Sequence, residues 1–354
     1  MAQEKQQVFT TMALITHDRR QMPRINDYTA AFGLILVSFT AWGPNVFGSQ
    51  AYMMACAGLA ALSFLTRDKI LTAFGCYCAA WFVFIQVAET TGWMPIDSMI
   101  QAIDVLMLIM AGYAIYIVIK FGSASRTFWM NTICIVAVIL SAIGVLQYYF
   151  KGMVCATLGN SNFLGSFLAI SIICFFRSKW WMLLPLILFA LYATRCATAM
   201  VALIIGLGYL VWGLRGVALA AIPGVVYVKI FKGLGSLIIR AEYWLDSFIK
   251  LSNHWHTLLF GTGPSILWKT DNMLHSEPAY MLWNFGFVGL FLAGAYIVKT
   301  FMAIDKPIDH YLLAIAVVII VNSLANNVMH ITSTAYLTVV IFALNDREAV
   351  AWRL

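Results

Sequence analysis

Charged side chains are scarce in this chain of 354 residues. Asp, Glu, Lys and Arg together make up 10% of it, whereas hydrophobic residues make up 62%. The mean hydropathy is correspondingly high, at +0.86. So few charges cannot keep this much apolar surface in water, which excludes a soluble globular protein. The composition therefore predicts an integral membrane protein.

The sequence also lacks any polar stretch long enough for a large soluble domain, and it contains no internal repeat, low-complexity tract or flexible linker. A membrane-spanning helix needs roughly 20 mostly apolar residues, so the chain accommodates about a dozen such helices with short connections. We therefore expect an all-α, polytopic membrane protein that forms a single helical domain over residues 1–354.

No pattern of metal ligands is present. The seven cysteines are scattered through apolar stretches, and only Cys76 and Cys78 lie close together. Such cysteines are typical of small buried hydrophobic residues. The histidines lack the spacing of a zinc site, and the outer segments have no dense carboxylate cluster. We expect no metal and no cofactor. The modest net charge of +7 is spread among loops and argues against a nucleic-acid partner.

The apolar runs predict twelve helices. Arg19, Arg20 and Arg24 precede the first run, which has no convincing cleavage site and is therefore predicted to be a first transmembrane helix rather than a removed signal peptide. The predicted helices cover residues 28–44, 47–65, 70–88, 98–119, 129–149, 161–176, 180–194, 197–213, 216–230, 279–299, 309–327 and 331–344.

The distribution of basic residues predicts the topology. With the N-terminus inside, the outer segments hold seven of the 22 basic residues, and every inner connection has at least one of the others. This is the asymmetry that the positive-inside rule describes, so both termini are expected in the cytoplasm. The seven outer basic residues are Lys151, Arg195, Lys229, Lys232, Arg240, Lys250 and Lys269.

One long connection, 231–278, lies on the predicted outer face and is the main loop of the protein. It has enough polar backbone to build a site, and it is rich in histidine, tryptophan and charged residues. Two shorter outer loops, 151–162 and 193–196, could close over the same region.

Two arginines on this face are candidates for phosphate binding. Arg195 stands between two apolar runs, where a guanidinium can grip a phosphate with two parallel hydrogen bonds. It could instead be an interfacial arginine that anchors helix ends. Arg240 and Trp244 would share one face of a helical turn. That helix could equally lie flat on the bilayer, with its arginine facing lipid headgroups.

A histidine is the candidate base. His275 and Glu277 directly precede an apolar, glycine-punctuated helix, and an imidazole that titrates near neutrality can accept a proton from a hydroxyl. His275 could also be a structural loop residue. The turn from Gly261 to Pro264 would let the backbone approach a ligand closely, although two glycines are a common feature of turns.

Four motifs, taken in order, resemble the O-antigen ligase and O-antigen polymerase superfamily of polytopic membrane glycosyltransferases. The stretch 157–165 is similar to a Gly-Asn-Pro-Asn segment that opens a helix, with Ser161 in place of proline. Thr194 and Arg195 resemble a Ser-Arg turn. The third motif, Arg240 to Trp244 with Phe260 to Gly263, is similar to an Arg-x-x-x-Trp element with a following Gly-x-Gly. The fourth motif, His275 to Leu290, is similar to a His-Asn pattern that continues to Glu-x-Gly and Gly-Leu, with Ser276 and Asn284 in place of the usual asparagine and glutamate.

The resemblance covers residues 155–345 and implies a GT-C-like fold. It also implies metal-independent, inverting transfer of a glycan from an undecaprenyl-diphosphate-linked donor to an acceptor hydroxyl at the periplasmic face of the bacterial inner membrane. Arg195 and Arg240 would bind the diphosphate, and His275 would orient or deprotonate the hydroxyl. Lys151, Lys232 and Tyr243 would be secondary contacts to phosphate or sugar.

The motifs leave several activities open. A polymerase would join repeat units to one another, a ligase would join the glycan to lipid A-core, and a protein oligosaccharyltransferase would modify a side-chain hydroxyl. Polymerase and ligase are favoured because the outer loop is compact. A secondary transporter is the competing class, but it usually keeps ionisable residues near the bilayer midplane and often has two related halves. Here Asp104 alone is predicted to lie deeper within a helix.

Overall fold

The computed structural model describes residues 116, 119–120, 124–152, 154–158, 160–176, 178, 180–231, 235–262, 276–302, 310–326, 334 and 337–344. All regular secondary structure in these residues is helical, so the prediction of an all-helical chain is confirmed for this part. The first three predicted helices and most of the fourth lie outside the described residues.

Eight α-helices follow one another in the described part of the chain, with a short 3-10 helix before α2 and another before α3. The α-helices are α1 Arg126–Lys151, α2 Ser161–Phe175, α3 Leu184–Thr194, α4 Ala197–Phe231, α5 Gly235–Ser252, α6 Trp255–Phe260, α7 Glu277–Met302 and α8 His310–Ser323. The 3-10 helices are Ala156–Leu158 and Trp181–Leu183, and residues 337–344 are also helical.

Three helical stretches are long and apolar enough to span a membrane: Arg126–Lys151, Ala197–Tyr227 and Pro278–Ala295. Three shorter helices are also apolar: Ser161–Phe175, Trp181–Thr194 and His310–Ser323. These stretches suggest a membrane protein. The total of twelve spans stays a prediction.

Helix α4 is reversed at Gly213, which has φ 62° and ψ −143°, a conformation open only to glycine. A Cβ on Gly224 would lie 2.9 Å from Val201, although these residues would be about 35 Å apart in a straight helix. Residues 197–212 and 214–231 therefore form two antiparallel limbs. By length and composition α4 counts as one span, but the contact shows a hairpin, in agreement with the predicted helices 197–213 and 216–230.

The hairpin closes because small residues line its seam. A Cβ on Gly208 would lie 2.5 Å from the Gly216 carbonyl oxygen and 2.7 Å from the Ala220 Cβ. Backbones can approach this closely only where side chains are absent, as is common between helices in membranes.

The main core surrounds α2, which is buried on all sides from Leu164 to Phe175. The helices around it are α1, α3, the first limb of α4, α8 and residues 337–344. A helix that is apolar around its whole circumference is stable only in such a central position. A smaller cluster joins α5, α6 and α7 around Leu251, Tyr280 and Trp283.

One end of this bundle carries the candidate site. The end of α1 is joined to the start of α2 by a short connection, which Gln147 fixes by accepting from the Cys155 N–H (3.2 Å) and donating to the Ala156 carbonyl (2.8 Å). The α3–α4 turn packs on α2 at Gly165, and Asn326, just beyond the end of α8, donates to Ser166. Three separate stretches of sequence therefore meet at this end.

Candidate functional site

The α3–α4 turn holds Arg195 in a left-handed conformation, with φ 54° and ψ 24°. Its N–H donates to the Tyr192 carbonyl at 3.0 Å, and its side chain is exposed. Glycine is the usual residue at this position of a helix end, because a side chain there is strained. The chain nevertheless carries an arginine there, and a strained residue that bears a charged, exposed side chain is a candidate functional residue.

The α3–α4 turn is held in place by its packing against α2. A Cβ on Gly165 would lie 2.6 Å from the Cβ of Cys196 and 3.0 Å from the hydroxyl of Thr194. The same hydroxyl donates to the Leu191 carbonyl (2.6 Å) and accepts from the Cys196 N–H (3.2 Å). The last residue of the 157–165 segment therefore contacts the Thr194 and Arg195 turn, so two of the four motifs are in contact.

Arg240 reaches the same end of the bundle from α5. Its Nη1 donates to the Ala325 carbonyl at 2.6 Å, just beyond the end of α8. Burial lowers the pKa of Arg240 below the ordinary value, and an electrostatic interaction with Cys196 opposes this shift. A guanidinium stays protonated under such a shift. Asn326, the neighbour of Ala325, lies 3.9 Å from the sulfur of Cys196, which follows Arg195, so the two predicted arginines lie at the same end of the bundle.

A buried group of polar side chains lies beneath the two arginines. The Asn326 amide donates to the Asn322 Oδ1 (2.8 Å) and the Ser166 hydroxyl (3.3 Å), and it lies 3.9 Å from the Cys196 sulfur. All four side chains are at most 4% exposed. Asn322 Nδ2 makes no hydrogen bond within the described residues. The group ties the carbonyl that holds Arg240 to α2 and to the α3–α4 turn.

Sequence reasoning missed this group, although it leaves a signal. Asn322 and Asn326 lie four residues apart in the predicted membrane helix 309–327, where polar side chains are energetically costly and often functional. The Ala325 carbonyl could not have been identified, because a backbone acceptor has no sequence signature.

The other predicted contacts lie in different settings. Lys151 is exposed at the last residue of α1, on the connection to α2. Tyr243 is half-buried on α5, one turn after Arg240. His275 and Lys232 lie outside the described residues, so their predicted roles are untested.

The predicted Gly261 turn makes a close approach to backbone. A Cβ on Gly261 would overlap the Asn284 carbonyl, and one on Gly286 would overlap the Leu259 carbonyl. The Thr262 N–H also donates to the Trp283 carbonyl at 2.8 Å. Gly286 has φ 62°, and it kinks α7 at this contact. The two glycine motifs therefore pack against each other.

Asn284, at this kink, is fully buried, and neither polar atom of its amide is hydrogen-bonded within the described residues. An unsatisfied buried amide costs about 1–3 kcal/mol. The residue that precedes α7, Ser276, is also buried, and its carbonyl accepts from the Tyr280 N–H at 2.9 Å.

Taken together, the described part of the site offers two guanidinium groups at one end of an apolar bundle. One is exposed and the other is half-buried, with a single hydrogen bond to a backbone carbonyl among the described residues. A guanidinium has five N–H donors, and the described residues use one of those of Arg240. This arrangement suits an anion with an apolar attachment.

In comparisons with known proteins, no family model and no curated protein matches the chain.

Proposed function

We propose that the chain is a polytopic, GT-C-like glycosyltransferase of about twelve helices that transfers a glycan from an undecaprenyl-diphosphate-linked donor to an acceptor hydroxyl. The proposed setting is the periplasmic face of the bacterial inner membrane, with both termini in the cytoplasm. One observation carries the proposal: Arg240 donates to the Ala325 carbonyl, and the next residue, Asn326, lies 3.9 Å from the sulfur of Cys196, the neighbour of Arg195, so two arginines that lie far apart in sequence share one end of an apolar bundle.

The arginines suit the leaving group. When the bond between the anomeric carbon and the phosphate oxygen breaks, its electron pair stays on the diphosphate, and negative charge grows there. Preorganised guanidinium groups stabilise such charge without moving. Arg195 and Arg240 would perform this role, with Lys151, Lys232 and Tyr243 as secondary contacts to phosphate or sugar.

The acceptor hydroxyl would be activated by His275. Its imidazole accepts the hydroxyl proton while the oxygen forms a bond to the anomeric carbon from the face opposite the diphosphate, which inverts the configuration. The products are the extended glycan and undecaprenyl diphosphate. The acceptor would be a growing glycan or lipid A-core, or a protein hydroxyl in the related oligosaccharyltransferase activity.

The test is a reconstituted assay with purified protein, an undecaprenyl-diphosphate-linked oligosaccharide and each class of acceptor. Arg240→Ala and His275→Ala should abolish donor consumption. Lys250→Ala is the matched control, because it removes a cation from the same helix at an exposed pair with Asp246. That surface pair is worth at most about 1 kcal/mol, so this variant should keep its activity.

The products distinguish the remaining activities. A ladder of products indicates a polymerase, and a single shift of lipid A-core or protein indicates a ligase or an oligosaccharyltransferase. Full activity of Arg240→Ala would remove the proposed role of this arginine. Failure of the folded protein to consume donor with any acceptor would contradict the proposal and favour transport.

A further inference from the structure

Helix α5 packs against the protein through one narrow face. Arg240, Trp244 and Ser247 are half-buried, and Leu251 is 2% exposed. These residues follow one another at intervals of three or four, so they lie on one side of the helix. This side faces the end of α8 through Arg240 and faces α6 and α7 through Leu251 and Trp244.

The opposite side of α5 carries an exposed apolar stripe. Ile238, Leu245 and Ile249 are 56%, 61% and 51% exposed. At 100° per residue these three side chains share one direction, which is roughly opposite to Arg240. Asp246 and Lys250 form a 2.6 Å ion pair to the side of the stripe. We call Ile238, Leu245 and Ile249 the apolar stripe of α5.

The position of α5 along the bundle decides what covers this stripe. The second limb of α4 runs antiparallel to the first and returns to the end of the bundle that carries Arg195. Helix α5 follows this limb, and Arg240 contacts the residue just beyond the end of the apolar helix α8. The helix therefore lies where apolar helices end, which is the depth of a membrane boundary.

The adjoining helix α6 also exposes apolar side chains. Trp255 is 71% exposed, and Leu259 and Phe260 are 40% and 43% exposed. Tryptophan is enriched at the headgroup level of membranes, where its ring contacts apolar chains and its N–H reaches polar groups. The exposed charged residues of α5 are Glu242, Asp246 and Lys250, because Arg240 faces the protein, so the exposed surface of the helix has no net positive charge. Any attraction to a bilayer must therefore come from the apolar stripe and not from charge.

We propose that α5 is an interfacial helix that lies in the surface of the lipid bilayer, with the apolar stripe in the boundary between headgroups and acyl chains. An interfacial helix buries its apolar face about 5–10 Å into this boundary. The partner is the bilayer itself, independently of any glycan transfer. If the proposed function also holds, the same geometry keeps Arg240 at the depth of a lipid-linked diphosphate.

The test measures the depth of the stripe in phosphatidylcholine liposomes. Leu245→Cys and Ile249→Cys are each labelled with an environment-sensitive fluorophore, with Lys250→Cys as the matched control on the charged side of the helix. The unsubstituted protein, labelled in parallel, corrects for native cysteines. Quenching by lipids with a nitroxide near the headgroup should be at least about twofold stronger at positions 245 and 249 than at 250, because only the stripe enters the boundary.

One further control and two contrary outcomes decide the result. Since the exposed surface of α5 has no net positive charge, adding anionic lipid should not increase the depth of either stripe label. Equal quenching of all three labels by aqueous iodide would overturn the proposal. So would stripe labels shielded from both lipid nitroxide and iodide, since this would indicate a second protein copy. Loss of glycan transfer would not affect the readout, so this proposal and the proposed function fail separately.

Discussion

At the scale of single residues, Arg195 carries a test that separates stability from function. Its left-handed backbone is one that glycine adopts without strain, and a side chain there costs about 1–2 kcal/mol. Arg195→Gly should therefore unfold at an equal or higher temperature than the natural protein, while it loses binding of the diphosphate donor. Thermal unfolding in detergent and donor binding are the two measurements. A variant that is less stable and still binds donor would contradict the functional reading of this residue.

Asn326 is the second residue with a specific prediction. Its amide donates to Asn322 and Ser166, and the adjacent Ala325 carbonyl holds Arg240. Asn326→Ala should lower the free energy of unfolding by about 1–3 kcal/mol, because buried acceptors lose their donor. It should also weaken donor binding, because Arg240 loses a fixed partner. Unfolding and donor titration measure the two effects.

Ser323→Ala is the control for Asn326. Ser323 lies at the end of the same helix, but its hydroxyl donates only locally, to the Ile319 carbonyl at 2.7 Å. Bonds of this kind contribute little to a helix. The control variant should therefore keep both stability and donor affinity. An Asn326 variant as mild as Ser323→Ala would mean that the polar group does not position Arg240.

At the scale of elements, the α4 hairpin depends on its seam of small residues. A Cβ on Gly216 would overlap the Gly208 carbonyl, whereas a Cβ on Gly294 of α7 would have no neighbour within 4 Å among the described residues. Gly216→Ala should force the limbs apart and lower the unfolding temperature, because overpacking typically costs about 1–3 kcal/mol. Gly294→Ala should leave it unchanged. Equal unfolding temperatures for the two variants would argue against close contact of the limbs.

Helices were predictable from the sequence where apolar runs are bounded by clear signals. Ser125 and Gly152 cap α1, and the sequence-based boundaries differ from the observed ones by a few residues. The reversal at Gly213 was also predictable, because glycine and Arg215 interrupt the apolar run. The helices inside the loop 231–278 were only partly foreseen. The Arg240 turn is part of α5, but an amphipathic helix is stabilised mainly by its packing partners, which composition does not identify.

The site was also only partly predictable from the sequence. Arg195 and Arg240 could be selected because a charged residue beside an apolar run is conspicuous. Their placement at one end of the bundle depends on tertiary packing, through the Ala325 carbonyl, the contact of Asn326 with Cys196 and the approach of Gly165 to the α3–α4 turn. Sequence periodicity describes one helix at a time, so it cannot show which helix ends meet. Only the family resemblance of the motifs predicts that the two arginines bind the same diphosphate.

At the scale of the whole molecule, the arrangement of helix ends decides on which side of the membrane the two arginines lie. The starts of α2 and α4 and the end of α8 lie at the end of the bundle that carries both arginines. The connection between α2 and α3 belongs to the opposite end, because one apolar helix separates it from Ser161. The charge distribution predicts that the arginine end is periplasmic, since Arg177 and Lys179 mark the other end as cytoplasmic.

This topology can be tested in intact cells with a membrane-impermeant maleimide. Thr157→Cys, at an exposed position before α2, should be modified from the outside, whereas Lys179→Cys should react only after the membrane is permeabilised. The unsubstituted protein corrects for native cysteines. The reverse pattern would move Arg195 and Arg240 to the cytoplasmic face, where a periplasmic lipid-linked donor cannot reach them. A cysteine in an aqueous loop reacts with the maleimide from one side of the membrane. If neither cysteine reacted, even after permeabilisation, the prediction that aqueous connections lie at the two ends of α2 would be contradicted.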